Sequence, residues 1–186
     1  MNLIASRAIS IALFGGLVAF LSLGPAAGYG PQILAVFIAW ASYYHFNGKL
    51  EGLKKSLITN LFGAAWGAVA VAFLSQQERF GAGVHFPAWA AIGVVITLAA
   101  LVLATRLSLF DDIAGLLLGY VAMAGTALQS AKLDIILSPS LENPVISVAL
   151  SLIVGAALAY VADMIAEALA KFASTRGSRA KPAIGA

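Results

Sequence analysis

Trp40, Tyr43, Asn60, Tyr120 and Thr126 are the side chains whose types and placement could recognise a small molecule, each lying inside an otherwise apolar stretch. An aromatic ring offers a flat apolar face, and an amide or hydroxyl offers directed hydrogen bonds. Together they suit a small neutral or weakly polar solute, of which a urea-like amide is the natural example. Asn60 is the only carboxamide or charged side chain early in its run. An amide in hydrocarbon must face the bundle interior or a cavity to be satisfied. Tyr43 follows Trp40 by nearly one helical turn on the same face, Tyr120 stands as a counterpart in the second half, and Thr126, Thr59 and Ser42 could share a polar network with Asn60. A plainer reading gives Asn60 a structural hydrogen bond across helices. It also places Tyr44, His45 and Phe46 in an interfacial aromatic belt.

What the sequence lacks excludes most catalysis. It has no cysteine, so disulfides, thiolate chemistry and Cys-ligated metals are absent. All eight acidic residues (Glu51, Glu78, Asp111, Asp112, Asp134, Glu142, Asp163, Glu167) fall in loops or near helix ends. Ion pumps place ionisable groups within the membrane, so ion coupling is not expected. No Ser-His or paired-carboxylate arrangement activates a nucleophile, so the chain is not expected to be an enzyme, and no metal or other cofactor is expected. The net charge of +3 comes from residues at run ends rather than from one basic face, which argues against nucleic acid.

These residues must be positioned by membrane helices. Of 186 residues 61% are hydrophobic and 10% charged, against about a quarter charged in soluble domains. Apolar runs cover Ile4 to Leu23, Gln32 to Phe46, Ser56 to Leu74, Pro87 to Thr105, Ile113 to Gln129 and Val145 to Phe172. Several reach the ~20 residues that cross a hydrocarbon core of about 30 Å; the second and fifth are short. The first run is read as a span rather than a leader cleaved near Ala26-Ala27-Gly28. The pattern predicts an all-α polytopic membrane protein with about six transmembrane helices, residues 47–55 forming the turn after the second. It forms a single membrane domain over 1–172, with a flexible basic cytoplasmic tail over 173–186. With the N-terminus inside, Arg7, Lys49, Lys54, Lys55, Arg106, Lys171, Arg176, Arg179 and Lys181 lie inside and only Arg79 and Lys132 outside. That bias places both termini in the cytoplasm.

The halves, about 1–75 and 87–172, share a layout of full, short and full runs. A shift of 88 lays Ile58, Thr59, Gly67 and Ala68 over Ile146, Ser147, Gly155 and Ala156; a shift of 80 lays Phe37 to Trp40 over Leu117 to Tyr120. Three crossings per half is odd, so a 3+3 repeat must be inverted, the arrangement typical of transporters. Gly63 with Gly67, and Gly115 with Gly119, have GxxxG spacing and allow close helix packing inside the bundle or between copies. A homo-oligomer is expected.

Phe37-Ile38-Ala39-Trp40-Ala41-Ser42-Tyr43-Tyr44, then Gly48, Gly52, Asn60, Gly63 and Trp66-Gly67, carry a resemblance. The chain resembles a family of small bacterial inner-membrane proteins designated domain of unknown function 1097. The resemblance implies a location and a helical fold, and no activity. The combined expectation is an inner-membrane channel or facilitator for a small neutral solute, Trp40, Tyr43, Asn60, Tyr120 and Thr126 lining its path. The alternative is a non-transporting scaffold or regulatory subunit.

Overall fold

The first helix starts on a side-chain cap: the oxygen of Asn2 accepts the Ala5 N–H at 2.8 Å, satisfying one of the free donors at a helix start. This helix, α1 (Leu3–Leu23), ends at Gly24. The computed structural model describes residues 2–25, 32–129 and 143–179. After α1 come α2 (Ile33–His45), α3 (Lys49–Ser75), a single turn α4 (Gln77–Phe80), α5 (Phe86–Leu103), two 3-10 turns, α6 (Ile113–Gln129) and α7 (Pro144–Arg179). There is no strand among the described residues. The helices at Leu3–Leu23, Lys49–Ser75, Phe86–Arg106 and Pro144–Thr175 are long and apolar enough to cross a membrane. The other two are shorter, 13 residues in α2 and 17 in α6. At 1.5 Å per residue they reach only about 20 and 26 Å.

α2 stops in a Schellman turn. Gly48 N–H donates to Tyr43 O and Asn47 N–H to Tyr44 O, both at 3.0 Å, with Asn47 in the left-handed region at φ 61°. Gly48 (φ 71°) and Lys49 (φ 59°), the first residue of α3, also have positive φ. A left-handed non-glycine residue costs roughly 1–2 kcal/mol, and at Lys49 it is offset by a bond from its N–H to the Tyr43 hydroxyl at 2.8 Å. The turn is therefore Phe46 to Gly48, shorter than the expected 47–55. Lys49 to Lys55 join α3 because Tyr43 supplies the acceptor that its first turn needs.

The helices form a central group with two flanks. α3 packs most extensively on α6 and α2 on α7, while α1 lies on α7 and α5 on α3. Only 17% of the apolar window is buried in α1 and in α5, against 44% in α3 and in α7, so the flanking helices turn most of their apolar surface outward. One buried cluster joins Ala35, Ala39, Ala64, Val71, Ala122, Met123, Val148, Leu152 and Ala156 from the central four helices. A second joins Val18, Val36, Trp40, Tyr43, Ala159 and Ala162; a third joins Ala70, Leu101, Leu116 and Tyr120.

The α3–α6 contact is made backbone to backbone. A Cβ on Gly63 would collide with the Leu116 carbonyl, and one on Gly119 with the Asn60 carbonyl. Gly67 lies against Tyr120 O, and Gly115 against the Thr59 hydroxyl, where an added Cβ would sit 2.7 and 2.6 Å away. In lipid, where apolar burial drives helices together only weakly, such close approach supplies the packing. On the other side of the bundle, Gly155 of α7 meets the Val36 carbonyl of α2 in the same way.

The sequence expectation of a flexible tail from Ala173 does not hold over 173–179. α7 continues to Arg179, because the stretch holds no proline and Ser174 and Thr175 donate back to the Lys171 carbonyl. The expected outer loop with Lys132, Asp134 and Glu142, the segment 26–31 and residues 180–186 lie outside the described residues.

Gly63→Leu and Gly119→Leu should each lower the thermal unfolding midpoint in detergent, at a cost of at least about 1–3 kcal/mol from overpacking. Gly125→Leu, with open space beside its Cα, should leave the midpoint nearly unchanged.

Candidate functional site

Asn60 projects from α3 where α2, α3 and α6 meet. It is 1% exposed; its amide nitrogen donates to Ser56 Oγ at 3.3 Å, and Ser56 Oγ donates to Ala39 O of α2 at 3.4 Å. Its carbonyl oxygen Oδ1 is buried without a hydrogen-bond partner, as is Ser42 Oγ on α2. Thr59 is also buried there, its hydroxyl donating to Lys55 O at 2.8 Å. Small polar side chains thus form a seam between the short helices and α3, in an otherwise apolar interior.

The aromatic residues stand to either side of that seam. Trp40 is buried among Val18, Val36, Ala159 and Ala162. Tyr43 shares this cluster. Tyr120 lies in the separate cluster with Ala70, Leu101 and Leu116. Its hydroxyl is 2.9 Å from the Thr97 hydroxyl of α5. Thr97 gives its proton to Gly93 O at 2.7 Å, so Tyr120 is the donor of that pair. Thr126 is buried on α6. The structure therefore does not draw Trp40, Tyr43 and Tyr120 into one constriction; each is engaged in packing.

A charged network at one end of the bundle was missed in the sequence. Asp163 was read as lying near a helix end, yet α7 runs on beyond it and it is 3% exposed. Its Oδ1 accepts the Arg7 Nε–H at 2.8 Å, and its Oδ2 accepts the Tyr43 hydroxyl at 3.1 Å. Tyr43 in turn holds Lys49 N–H, so one hydroxyl ties the α2–α3 turn to α7. Gly48 is needed here for space as well as for its φ, since a Cβ would sit 3.1 Å from Asp163 Oδ2. The only signals in the sequence were an arginine at the start of one apolar run and the first of two acids within another. Their pairing across 156 positions was not legible.

The fold brings Asp112, 67 positions away in sequence, to 3.0 Å from the His45 Nε2. Asp112 also caps α6, accepting the Gly115 N–H at 2.5 Å. Burial pushes the Asp112 carboxyl up, but the Gly115 and His45 hydrogen bonds and the nearby His45 and Lys55 charges outweigh it. The carboxyl is held below its ordinary value of 3.8. His45, Phe46, Asn47, Gly48, Lys49, Glu51, Lys55, Asp111 and Asp112 line an open recess of about 560 Å³. No three His, Asp or Glu side chains converge on a metal-sized site among the described residues.

Two outcomes follow from these contacts. Tyr43→Phe leaves both Lys49 N–H and a buried Asp163 oxygen short of a partner, so unfolding should become easier by about 1–3 kcal/mol, read as a lower melting midpoint. Because the folded Asp112 carboxyl sits below its ordinary 3.8, the unfolded chain takes up the proton first as pH falls. The stabilisation is complete above that value and disappears as pH drops through the folded one. Asp112→Asn keeps a capping side chain and should melt below the wild type at neutral pH, the gap closing on acidification below 3.8. A gap that persists at low pH would contradict this assignment.

No characterised protein and no solved structure matches the chain. One family profile matches it over residues 8–167, carrying the description "Protein of unknown function (DUF1097)". With the seam, the glycine contacts and the Tyr43–Asp163 bond all inside that span, the chain belongs to the DUF1097 family.

Proposed function

We propose that this chain is a six-span bacterial inner-membrane protein built from two inverted halves, and that it lets a small neutral or weakly polar solute cross along the seam between them. The packing supports the duplication. Exchanging α1 with α5, α2 with α6 and α3 with α7 turns the α3–α6 contact into α7–α2, and α1–α7 into α5–α3, all of which exist. The two lateral clusters exchange as well. A shift of 80 carries Val36 and Trp40 of one onto Leu116 and Tyr120 of the other. With three helices in each half, the duplicated units point oppositely. The excess of Lys and Arg at the end that holds both termini supports a cytoplasmic placement of that end.

The observation that carries the solute reading is the unpartnered Oδ1 of Asn60. A buried acceptor left without a donor costs about 1–3 kcal/mol; a solute N–H passing the seam relieves that cost, which a hydrocarbon or an anion cannot do. Asp163 lies nineteen residues beyond Pro144, where α7 begins, or about 28 Å along the helix. That depth is close to the full hydrocarbon thickness, so the Arg7–Asp163 pair belongs near the interface. Passage requires α6 to move relative to α3, because their glycines now touch. That close packing is also what a non-transporting scaffold would show, and it is the competing reading.

Stopped-flow swelling of proteoliposomes in urea, acetamide, formamide and glycerol separates the two. The account expects wild-type vesicles to admit the amides faster than empty vesicles. Asn60→Leu should slow them about tenfold, the equivalent of one hydrogen bond. Equal rates with and without folded protein would leave the scaffold as the function.

A further inference from the structure

The recess at the charged end has walls of opposite sign. Asp111 and Asp112 stand at the start of α6; Lys49 and Lys55 come from the first turns of α3, with Glu51 between them. The side chains of Lys49, Glu51, Lys55 and Asp111 have no hydrogen bond or ion pair among the described residues. Asp112 is already committed to His45 and to the α6 cap. The unspent charges are thus two cations and the Glu51 carboxylate on one wall, net positive, and the Asp111 carboxylate on the other, a dipolar lining. A volume of about 560 Å³ falls in the range of small-molecule sites.

The surroundings indicate the source of a dipolar guest. Leu50 sits between Lys49 and Glu51 and is 53% exposed; Leu107 and Leu109, beside Asp111, are 59% and 58% exposed. These exposed leucines are close in sequence to residues that line the polar recess, so the local surface is amphiphilic. A freely diffusing solute gains nothing from the leucines, whereas a lipid covers them with acyl chains while its headgroup enters the recess.

We propose that this recess seats the ammonium–phosphate headgroup of a zwitterionic phospholipid, with the phosphate toward Lys49 and Lys55 and the ammonium toward Asp111. Phosphate on lysine and ammonium on carboxylate are charge-assisted bonds, about twice as strong as neutral ones. An anionic lipid satisfies the lysines but brings no ammonium to Asp111; Glu51 faces the phosphate of either lipid and does not discriminate between them. The site does not depend on solute passage, since it uses no residue of the seam.

Native mass spectrometry of the full chain, released from micelles with equimolar phosphatidylethanolamine and phosphatidylglycerol, tests it. The wild type should retain phosphatidylethanolamine about tenfold over phosphatidylglycerol, one charge-assisted bond's worth of selectivity. Asp111→Ala with Lys55→Ala should abolish the preference, and Asp111→Glu with Lys55→Arg should restore it, which separates lost charge from lost fold. Equal retention of the two lipids, or of neither, overturns the proposal. So does displacement by soluble phosphoethanolamine at concentrations equal to the lipid's, because the occupant would then be a free solute.

Discussion

The contact of the α3 backbone with that of α6 is the constraint on which the rest of the structure depends. Lipid removes most of the hydrophobic drive that would press two helices together, so they associate only where their surfaces fit. Gly63, Gly67, Gly115 and Gly119 strip both helices to the main chain along one face. The Asn60 carbonyl is thereby fixed against Gly119, which places the Asn60 amide inside the bundle rather than toward lipid. Gly155 repeats the device between α7 and α2. Short helices of 13 and 17 residues are then held in the interior by close fit to two long ones, with small polar side chains between.

The two ends of the bundle are unlike in chemistry. At one, the left-handed turn over Asn47, Gly48 and Lys49 is stitched to α7 through Tyr43 and Asp163, with Arg7 closing from α1 and resting 5.6 Å over the Tyr44 ring. At the other, Trp89 stacks on Phe73 at 4.3 Å and donates its indole N–H to the Phe73 carbonyl at 3.1 Å. The first end is tied by a partly buried ion pair whose worth depends on the hydrogen bonds that complete it. The second is tied by ring contact. The bundle thus has two chemically distinct ends.

The helices were legible because a long apolar run bounded by Gly, Pro and charge has few other structures open to it in lipid; α6 begins and ends where the sequence placed it, and α2 within one residue at either end. The start of α3 was not, since it rests on Tyr43 accepting from Lys49 across a turn whose left-handed residues include a lysine. The glycine spacing marked the α3–α6 contact, whereas Gly155 stands alone in its run and gave no such mark. Asn60 was singled out correctly as buried, because a lone amide in an apolar helix has nowhere else to go. Trp40 and Tyr120 were read as lining, but a large ring packs as readily against alanine as against a solute, and residue type does not distinguish the two. Asp163 escaped notice for a simpler reason: its partners come from the first and second helices, and hydropathy alone treats it as the edge of a span.

The central claim is that two three-helix units lie in the membrane in opposite orientations. The chain contains no cysteine, so single cysteines report their side of the membrane without background. Positions 54, 106 and 174 belong to one end of the bundle and positions 79 and 129 to the other. With an impermeant thiol reagent applied outside sealed right-side-out vesicles, the account predicts that Arg79→Cys and Gln129→Cys are labelled. Lys54→Cys, Arg106→Cys and Ser174→Cys should be labelled only after the vesicles are opened. Labelling of position 54 together with position 79 from the same side would mean that α3 does not cross, and the inverted arrangement would be wrong.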